Sequence, residues 1–315
     1  MKHKSIMQVI LLSVLVCLVC LASPSTAMAQ KEKDDLALTL QNVSGNVYCL
    51  EGAGGNVGIL KTPEGLLVID SKVGQVTDAV LKELTALSAP STPSALSAAP
   101  LKIKYLINTH YHGDHTANDE ALAKYAETIV MHPNCKASLI KSLKEKAAEK
   151  TFISKIQTWK EGMVINLGGE TVRLLYFNPA HTSGDLAVVF EKAKVLQTGD
   201  LFFNGMPAYI DVKDGSDTGN WVETIETLCR EYPDYKIIPG HGEAATVKDY
   251  LAFADYLKHL RKETADAIKA GKTREQAMES INTDQFKQIK ANELGNFMTI
   301  KTNIGWIYDE MAKKK

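Results

Sequence analysis

Four side chains able to hold a metal ion fall within six residues. The segment Asn108-Thr109-His110-Tyr111-His112-Gly113-Asp114-His115 has the pattern H-x-H-x-D-H. It follows Ile103–Ile107, a short apolar run of the kind that forms a strand buried on both faces. The histidines therefore fall where a loop leaves a sheet edge and can carry functional groups. In extended backbone His110 and His112, two residues apart, point to the same side. Asp114 and His115, just past Gly113, can turn toward a second point nearby. The spacing suits two metal ions better than one.

Three more residues of ligand type occupy similar places. His181 follows Asn178-Pro179-Ala180 after an expected strand at Thr171–Phe177, and Asp200 ends Thr198-Gly199-Asp200 after one at Lys194–Gln197. His241 lies in Pro239-Gly240-His241-Gly242 after Lys236-Ile237-Ile238. Each has a glycine or proline beside it, so each is expected where a strand gives way to a loop.

In this order, H-x-H-x-D-H, a single His, an Asp in T-G-D and a His in P-G-H-G, the sequence resembles the metallo-β-lactamase-fold hydrolase superfamily. The likeness runs from Val43 to about Gly242, with all seven ligand positions present. It implies an α+β fold, a four-layer αββα sandwich with the metals in a shallow groove at one edge of the two sheets. It also implies that His110, His112 and His181 bind a first zinc ion and Asp114, His115 and His241 a second, with Asp200 bridging both. Asp70 resembles the family's buried acid that hydrogen-bonds a ligand histidine, fixing its tautomer. Imidazole and carboxylate donors without thiolate suit two Zn²⁺, with manganese or iron as possible substitutes. A water shared by two zinc ions is largely hydroxide at neutral pH, since one zinc can bring its pKa to about 7. That hydroxide would attack a substrate carbonyl, with Asp114 as the catalytic residue that orients it.

The substrate class is narrowed less far. One lactamase subclass carries a thiolate at the bridging position and another lacks the bridging acid, whereas Asp200 here resembles glyoxalase II and lactonases. A small-molecule ester, lactone, thioester or amide is the expected substrate. Hydrolysis of a β-lactam is the alternative, and an iron-dependent sulfur dioxygenase or a metal-binding accessory protein is a further one. Against glyoxalase II, the stretch from Val247 to Lys315 shows no evident basic cluster for glutathione. Asn204–Asp211 resembles a segment of exported members of the superfamily. The glycine-rich turn Gly52–Asn56 would overhang the groove as a lid, and Phe202, Phe203, Met206 and Tyr209 could supply an apolar wall.

The elements that must position these residues follow from apolar patterning. Strands are expected at Val43–Leu50, Val57–Lys61, Leu66–Ile69, Ile103–Ile107, Thr128–Met131, Met163–Leu167, Thr171–Phe177, Leu186–Phe190, Lys194–Gln197 and Lys236–Ile238. Helices are expected from about Val76 to Leu87, near Asp119–Ala126 and Asn134–Lys150, over Thr218–Tyr232, and through most of the chain after Val247. Ser88–Pro100, rich in Ser, Ala and Pro, reads as a surface insertion because the strand–helix rhythm resumes directly after it.

At the start, Lys2, His3 and Lys4 precede an almost unbroken apolar run from Ile6 to Leu21 and a small-x-small Ala27-Met28-Ala29 site. This is the pattern of a secretory signal peptide spanning residues 1–29, with a periplasmic or secreted product and no stable membrane insertion after cleavage. Residues 30–315 are then expected to form one domain with a C-terminal helical extension from about 247 to 315. The remaining cysteines, Cys49, Cys135 and Cys229, are too scattered for a disulfide framework and read as buried small hydrophobes. The 315 residues are 45% hydrophobic, enough for a full core, and a net charge of −1 offers no basic field for nucleic acid. Oligomeric state is not legible.

Overall fold

The computed structural model describes residues 36–89, 100–289 and 297–313. The expected signal segment and most of the Ser88–Pro100 insertion lie outside the described residues. Among the described residues, no helix is long and apolar enough to cross a membrane.

Two mixed sheets face each other. The first has seven strands in sequential order: β1 (Leu38–Ser44), β2 (Val47–Gly52), β3 (Val57–Thr62), β4 (Gly65–Ile69), β5 (Ile103–Ile107), β6 (Ala126–Met131) and β7 (Ile156–Thr158). β1 to β4 pair antiparallel, and β4 to β7 pair parallel. The second holds β8 (Met163–Leu167), β9 (Glu170–Leu175), β10 (Ala187–Phe190), β11 (Val195–Phe203), β12 (Lys236–His241) and β13 (Ala245–Thr246), again in sequential order. Only β11 and β12 run parallel in this sheet.

Because successive side chains in a strand point to opposite faces, each central strand feeds two cores. Leu67, Ile69 and Ile107 of the first sheet meet Val188, Phe190, Val195 and Ile238 of the second in the layer between the sheets. Leu66, Val68 and Leu106 point the other way, onto helices α1 (Thr77–Ser88) and α4 (Pro133–Leu143). Single helical turns at Gly113–Thr116 (α2) and Asp119–Leu122 (α3) lie between these two helices in sequence. Val189, Leu196 and Ile237 face helices α5 (Thr218–Glu231) and α6 (Val247–Lys269), which pack with α8 (Ile300–Lys313); α7 spans Arg274–Ser280. The result is the expected four-layer αββα sandwich. Cys49, Cys135 and Cys229 are free and buried.

Several expected elements differ in extent. Val43–Leu50 is not one strand: Gly45, at φ +54°, turns the chain so that Ser44 pairs with Val47 across a hairpin. The helix expected near Asp119–Ala126 is the single turn α3, and the one expected over Asn134–Lys150 ends at Leu143, with Lys144 at φ +51°. The three-residue strand β7 had no apolar run to announce it. Strand β11 is longer than expected, continuing through Gly199 to Phe203, so Asp200 lies within the strand and not after it. His241 is likewise the last residue of β12.

Candidate metal centre

The functional side chains collect along one edge of the two sheets, after β4, β5 and β9, within β11 and at the end of β12. Asp70 follows β4, His110 and His112 lie in the loop after β5, and His115 sits in the turn α2 that this loop enters. From the second sheet come His181, in the loop after β9, Asp200 in β11 and His241 at the end of β12. All seven expected ligands meet there. His110, His112, His181 and Asp200 present donor atoms within 4.8 Å of one another, and so do Asp114, His115 and His241.

Asp200 joins the two groups. Its Oδ2 lies 3.5 Å from His110 Nε2 and 3.4 Å from His181 Nε2. Its Oδ1 lies 3.0 Å from His115 Nε2 and 3.3 Å from His241 Nε2. Asp114 Oδ2 stands 3.1 Å from His241 Nε2, on the open side of the cluster. The close approach of β11 and β12 depends on Gly240, where a Cβ would lie 2.1 Å from Asp200 Oδ1.

Hydrogen bonds behind the rings decide which nitrogen carries a lone pair. His115 Nδ1 is 2.8 Å from Asp70 Oδ2, and an ionised carboxylate only accepts, so Nδ1 carries the proton. His181 Nδ1 donates in the same way to the Tyr209 carbonyl at 2.7 Å. The Thr109 hydroxyl gives its one proton to Asp70 at 2.7 Å, so at 3.0 Å it can only accept from His110 Nδ1. His112 faces the opposite way, with Nε2 3.0 Å from Asp211 Oδ2 and Nδ1 turned inward. Four rings thus turn bare nitrogens toward one point or the other. His181 Nε2 and His112 Nδ1 are only 3.0 Å apart, two lone pairs facing each other.

Buried His110 Nε2 and Asp200 Oδ1 have no hydrogen-bond partner among the described residues. Converging lone pairs, an unpaired carboxylate oxygen and a hard N/O donor set are what a divalent cation neutralises, so the residues fit a pair of metal ions.

The electrostatics separate the two groups. Burial pushes His181 down to about 3 and holds His110 well below the ordinary histidine range. Burial also opposes a charge on His241, but the Asp200 and Asp114 carboxylates outweigh it and raise that ring to about 9. Burial would raise Asp200, yet the His115, His241 and His110 rings around it hold it well below the usual carboxylate range. The rings of the second group are the ones whose charged form the neighbouring carboxylates favour.

Asp70 is buried, and Thr109 N–H and Oγ1 both donate to it at 2.7 Å. Its φ of +66° is one that Asp tolerates better than most residues. Asp211 and Tyr111, whose hydroxyl donates to Asp211 at 2.6 Å, were not singled out as site residues from sequence. Asp211 lies 99 residues from His112, and only the fold brings the two together. A cavity of about 470 Å³ opens over His112, Asp114, Asp200 and His241, with Gly54, Phe203 and Tyr209 in its lining. Gly54 belongs to the expected overhanging turn, which Gly55 N–H ties to the Asp114 carbonyl at 3.0 Å. Phe202 is instead packed in the outer core, stacked on Tyr250, and Met206 packs against the same core.

Comparisons with known proteins agree with this arrangement. The chain is 26% identical over 162 residues to a probable metallo-hydrolase of Methanocaldococcus jannaschii, covering 48% of this chain and 74% of that one. It is 25% identical over 170 residues to a hydroxyacylglutathione hydrolase of Francisella tularensis subsp. novicida, covering 53% of this chain but only 62% of the relative's length. Among solved structures, a metallo-beta-lactamase from Pontibacter korlensis superposes with a TM-score of 0.55 at 20% identity, covering 70% of this chain and 99% of that one, which shows the shared fold. Residues 50–241 match the model of the metallo-beta-lactamase superfamily, and the chain belongs to that superfamily.

Proposed function

We propose that this chain is a dinuclear zinc hydrolase acting on the carbonyl of a small-molecule ester, lactone, thioester or amide. His110, His112 and His181 would hold one ion, Asp114, His115 and His241 the other, and Asp200 both. The observation that carries this reading is the division of the Asp200 carboxylate, one oxygen toward each histidine group. The relatives named as hydrolases support it. Two zinc ions bound there would polarise a carbonyl and make a bound water acidic enough to act as a nucleophile near neutral pH.

The rest falls to the chain's own groups. Asp70, Thr109, Tyr209 and Asp211 fix the ring tautomers so that lone pairs face inward, which removes the cost of reorganising them during reaction. Asp114, 30% exposed where the other carboxylate is buried, is placed to accept a hydrogen bond from the attacking water and orient it. Phe203 and Tyr209 line the apolar side of the cavity and exclude bulk water from the reacting carbonyl.

We further propose that residues 1–29 direct export to the periplasm or beyond, and that residues 30–315 form one domain. The test is metal analysis of the purified protein, followed by a panel of lactones, esters, thioesters and a chromogenic cephalosporin. Two zinc ions per chain with turnover of the carbonyl esters is the expected result. One iron per chain with oxygen-dependent turnover of a persulfide would replace the reading with a sulfur dioxygenase, and preference for the cephalosporin with a β-lactamase.

A further inference from the structure

We propose that the cavity over the metal-binding edge takes an uncharged, apolar acyl group, and that Phe297 sets how long a chain it accepts. The proposal rests on the hydrolytic reading above and narrows its substrate class.

Five side chains make the apolar part of that cavity: Val73, Phe203, Tyr209, Phe297 and Met298. They come from three separate stretches: the loop after β4, the end of β11 with the loop that follows, and the residues just before α8. Met298 is buried in the outer core, which anchors the last of these stretches. Phe297 is not buried in the same way. It is 51% exposed, and its ring stands edge-on to Tyr209 with centroids 6.3 Å apart. Tyr209 in turn lies 5.3 Å from the His112 ring on one side and 5.3 Å from Trp306 of α8 on another. An exposed aromatic side chain that lines a cavity, backed by a row of packed rings, is built to meet an apolar ligand.

The charges point the same way. Among the described residues, no lysine or arginine lines this cavity. Lys72, in the same loop as Val73, is buried and donates to the Gly55 and Gly52 carbonyls at 3.0 and 3.3 Å. A carboxylate at the far end of the acyl chain would lose its hydration among these side chains and gain no described lysine or arginine in exchange. A neutral acyl chain gains by burying its methylenes against five apolar walls. Hydrolysis is balanced without any further reagent: water adds to the carbonyl, the acyl C–O or C–S bond breaks, and an acid and an alcohol or thiol leave.

The test compares nitrophenyl acetate, butyrate and octanoate with a nitrophenyl half-ester of suberic acid, which matches the octanoate in length but ends in a carboxylate. With metal-loaded protein, kcat/KM is expected to rise with chain length and to fall at least tenfold for the half-ester. Phe297→Ala should cut the octanoate-to-acetate ratio of kcat/KM about tenfold, mostly through KM, and Phe297→Leu should restore much of it. Calorimetric titration with octanamide and with the monoamide of suberic acid gives a readout independent of turnover, and only octanamide is expected to bind. If octanamide binds but no ester is cleaved, the subsite stands and the hydrolytic reading falls. Equal or better use of the half-ester, or an octanoate-to-acetate ratio unmoved by Phe297→Ala, overturns the proposal.

Discussion

His112 is the one ring of the first group that turns Nδ1 inward, and Asp211 is the reason: its Oδ2 takes the Nε2 proton at 3.0 Å. Asp211 is itself held, since its Oδ1 accepts from the backbone N–H groups of Lys213 and Asp214 at 3.2 and 3.1 Å. Burial alone would raise this carboxyl, but its hydrogen bonds with His112 and Tyr111 hold it below the usual carboxylate range. Asp211→Asn keeps the shape and turns an acceptor into a donor. His112 must then accept at Nε2 and carry its proton on Nδ1, where the ion would bind. Affinity for the first ion should fall 10- to 100-fold, read by competition with a chelating dye, while the circular dichroism spectrum stays unchanged. Unaltered affinity would mean that Asp211 is only a turn residue.

The same logic applied to the centre gives a harsher result. Asp200→Ala removes the carboxylate that faces both groups and leaves four imidazole nitrogens around the gap. Bound metal should drop from two ions toward one, and turnover should fall by about two orders of magnitude or more, as it should for His112→Ala. The core strands should remain intact, because β11 keeps its other buried side chains. Wild-type rates from an Asp114→Asn, His241→Ala double variant would end the two-ion account.

The centre was far more legible in the sequence than its supports. His110, His112, Asp114 and His115 stand close together, and His181, Asp200 and His241 each lie within two residues of a Gly or Pro, so local spacing pointed to the seven residues that the fold gathers. Asp70 could be suspected because an acid ends an apolar strand. Asp211, Tyr111 and the Tyr209 carbonyl act only across tertiary contacts, and nothing in their neighbourhoods marks them. The fold was legible where apolar runs are continuous, as at Ile103–Ile107 and Met163–Leu167, which match β5 and β8 residue for residue. It failed where a tight turn interrupts a run, as Gly45 does between β1 and β2. It failed again at β11, where Gly199 and Asp200 look like a loop but lie within the strand, Gly199 pairing with Pro239 of β12.

Behind His115, Asp119 makes a pH prediction. It is fully buried; Ser71 Oγ and Asn108 Nδ2 donate to its Oδ1 at 2.8 and 3.2 Å, and its Oδ2 has no hydrogen-bond partner among the described residues. Burial, opposed by those hydrogen bonds, raises the carboxyl from its ordinary 3.8 to about 8. Below 3.8 both folded and unfolded chains hold the proton, and the group contributes nothing to the pH dependence. Between 3.8 and about 8 only the folded chain holds it, so stability falls by up to about 1.4 kcal/mol per pH unit as pH rises. Asp119→Asn cannot ionise and removes that slope. Thermal melts of the variant and wild type should therefore diverge in the variant's favour from pH 5 to 8, by several degrees. A difference in Tm that stays constant over that range would show that Asp119 is not protonated in the fold.

The last prediction concerns Gly55, which touches the second group without bearing a ligand. A Cβ there would stand 2.1 Å from His115 Cε1 and 2.3 Å from its Nε2, the nitrogen that faces Asp200. Either the ring or the turn must move. The ring is fastened behind by Asp70, and the turn by Gly55 N–H to Asp114 O, Asn56 N–H to Gly240 O and the Lys72 bonds. Neither yields cheaply, and a shift of about 1 Å in a positioned catalytic group can cost 100-fold in rate. Gly55→Ala should lose affinity for the second ion, and turnover should fall at least tenfold. Gly74→Ala is the control, because its Cβ meets nothing closer than Ala117 at 3.8 Å and its backbone is unstrained. Metal titration of the two variants side by side decides the matter: equal binding by both would mean that the turn moves aside freely and does not hold His115 in place.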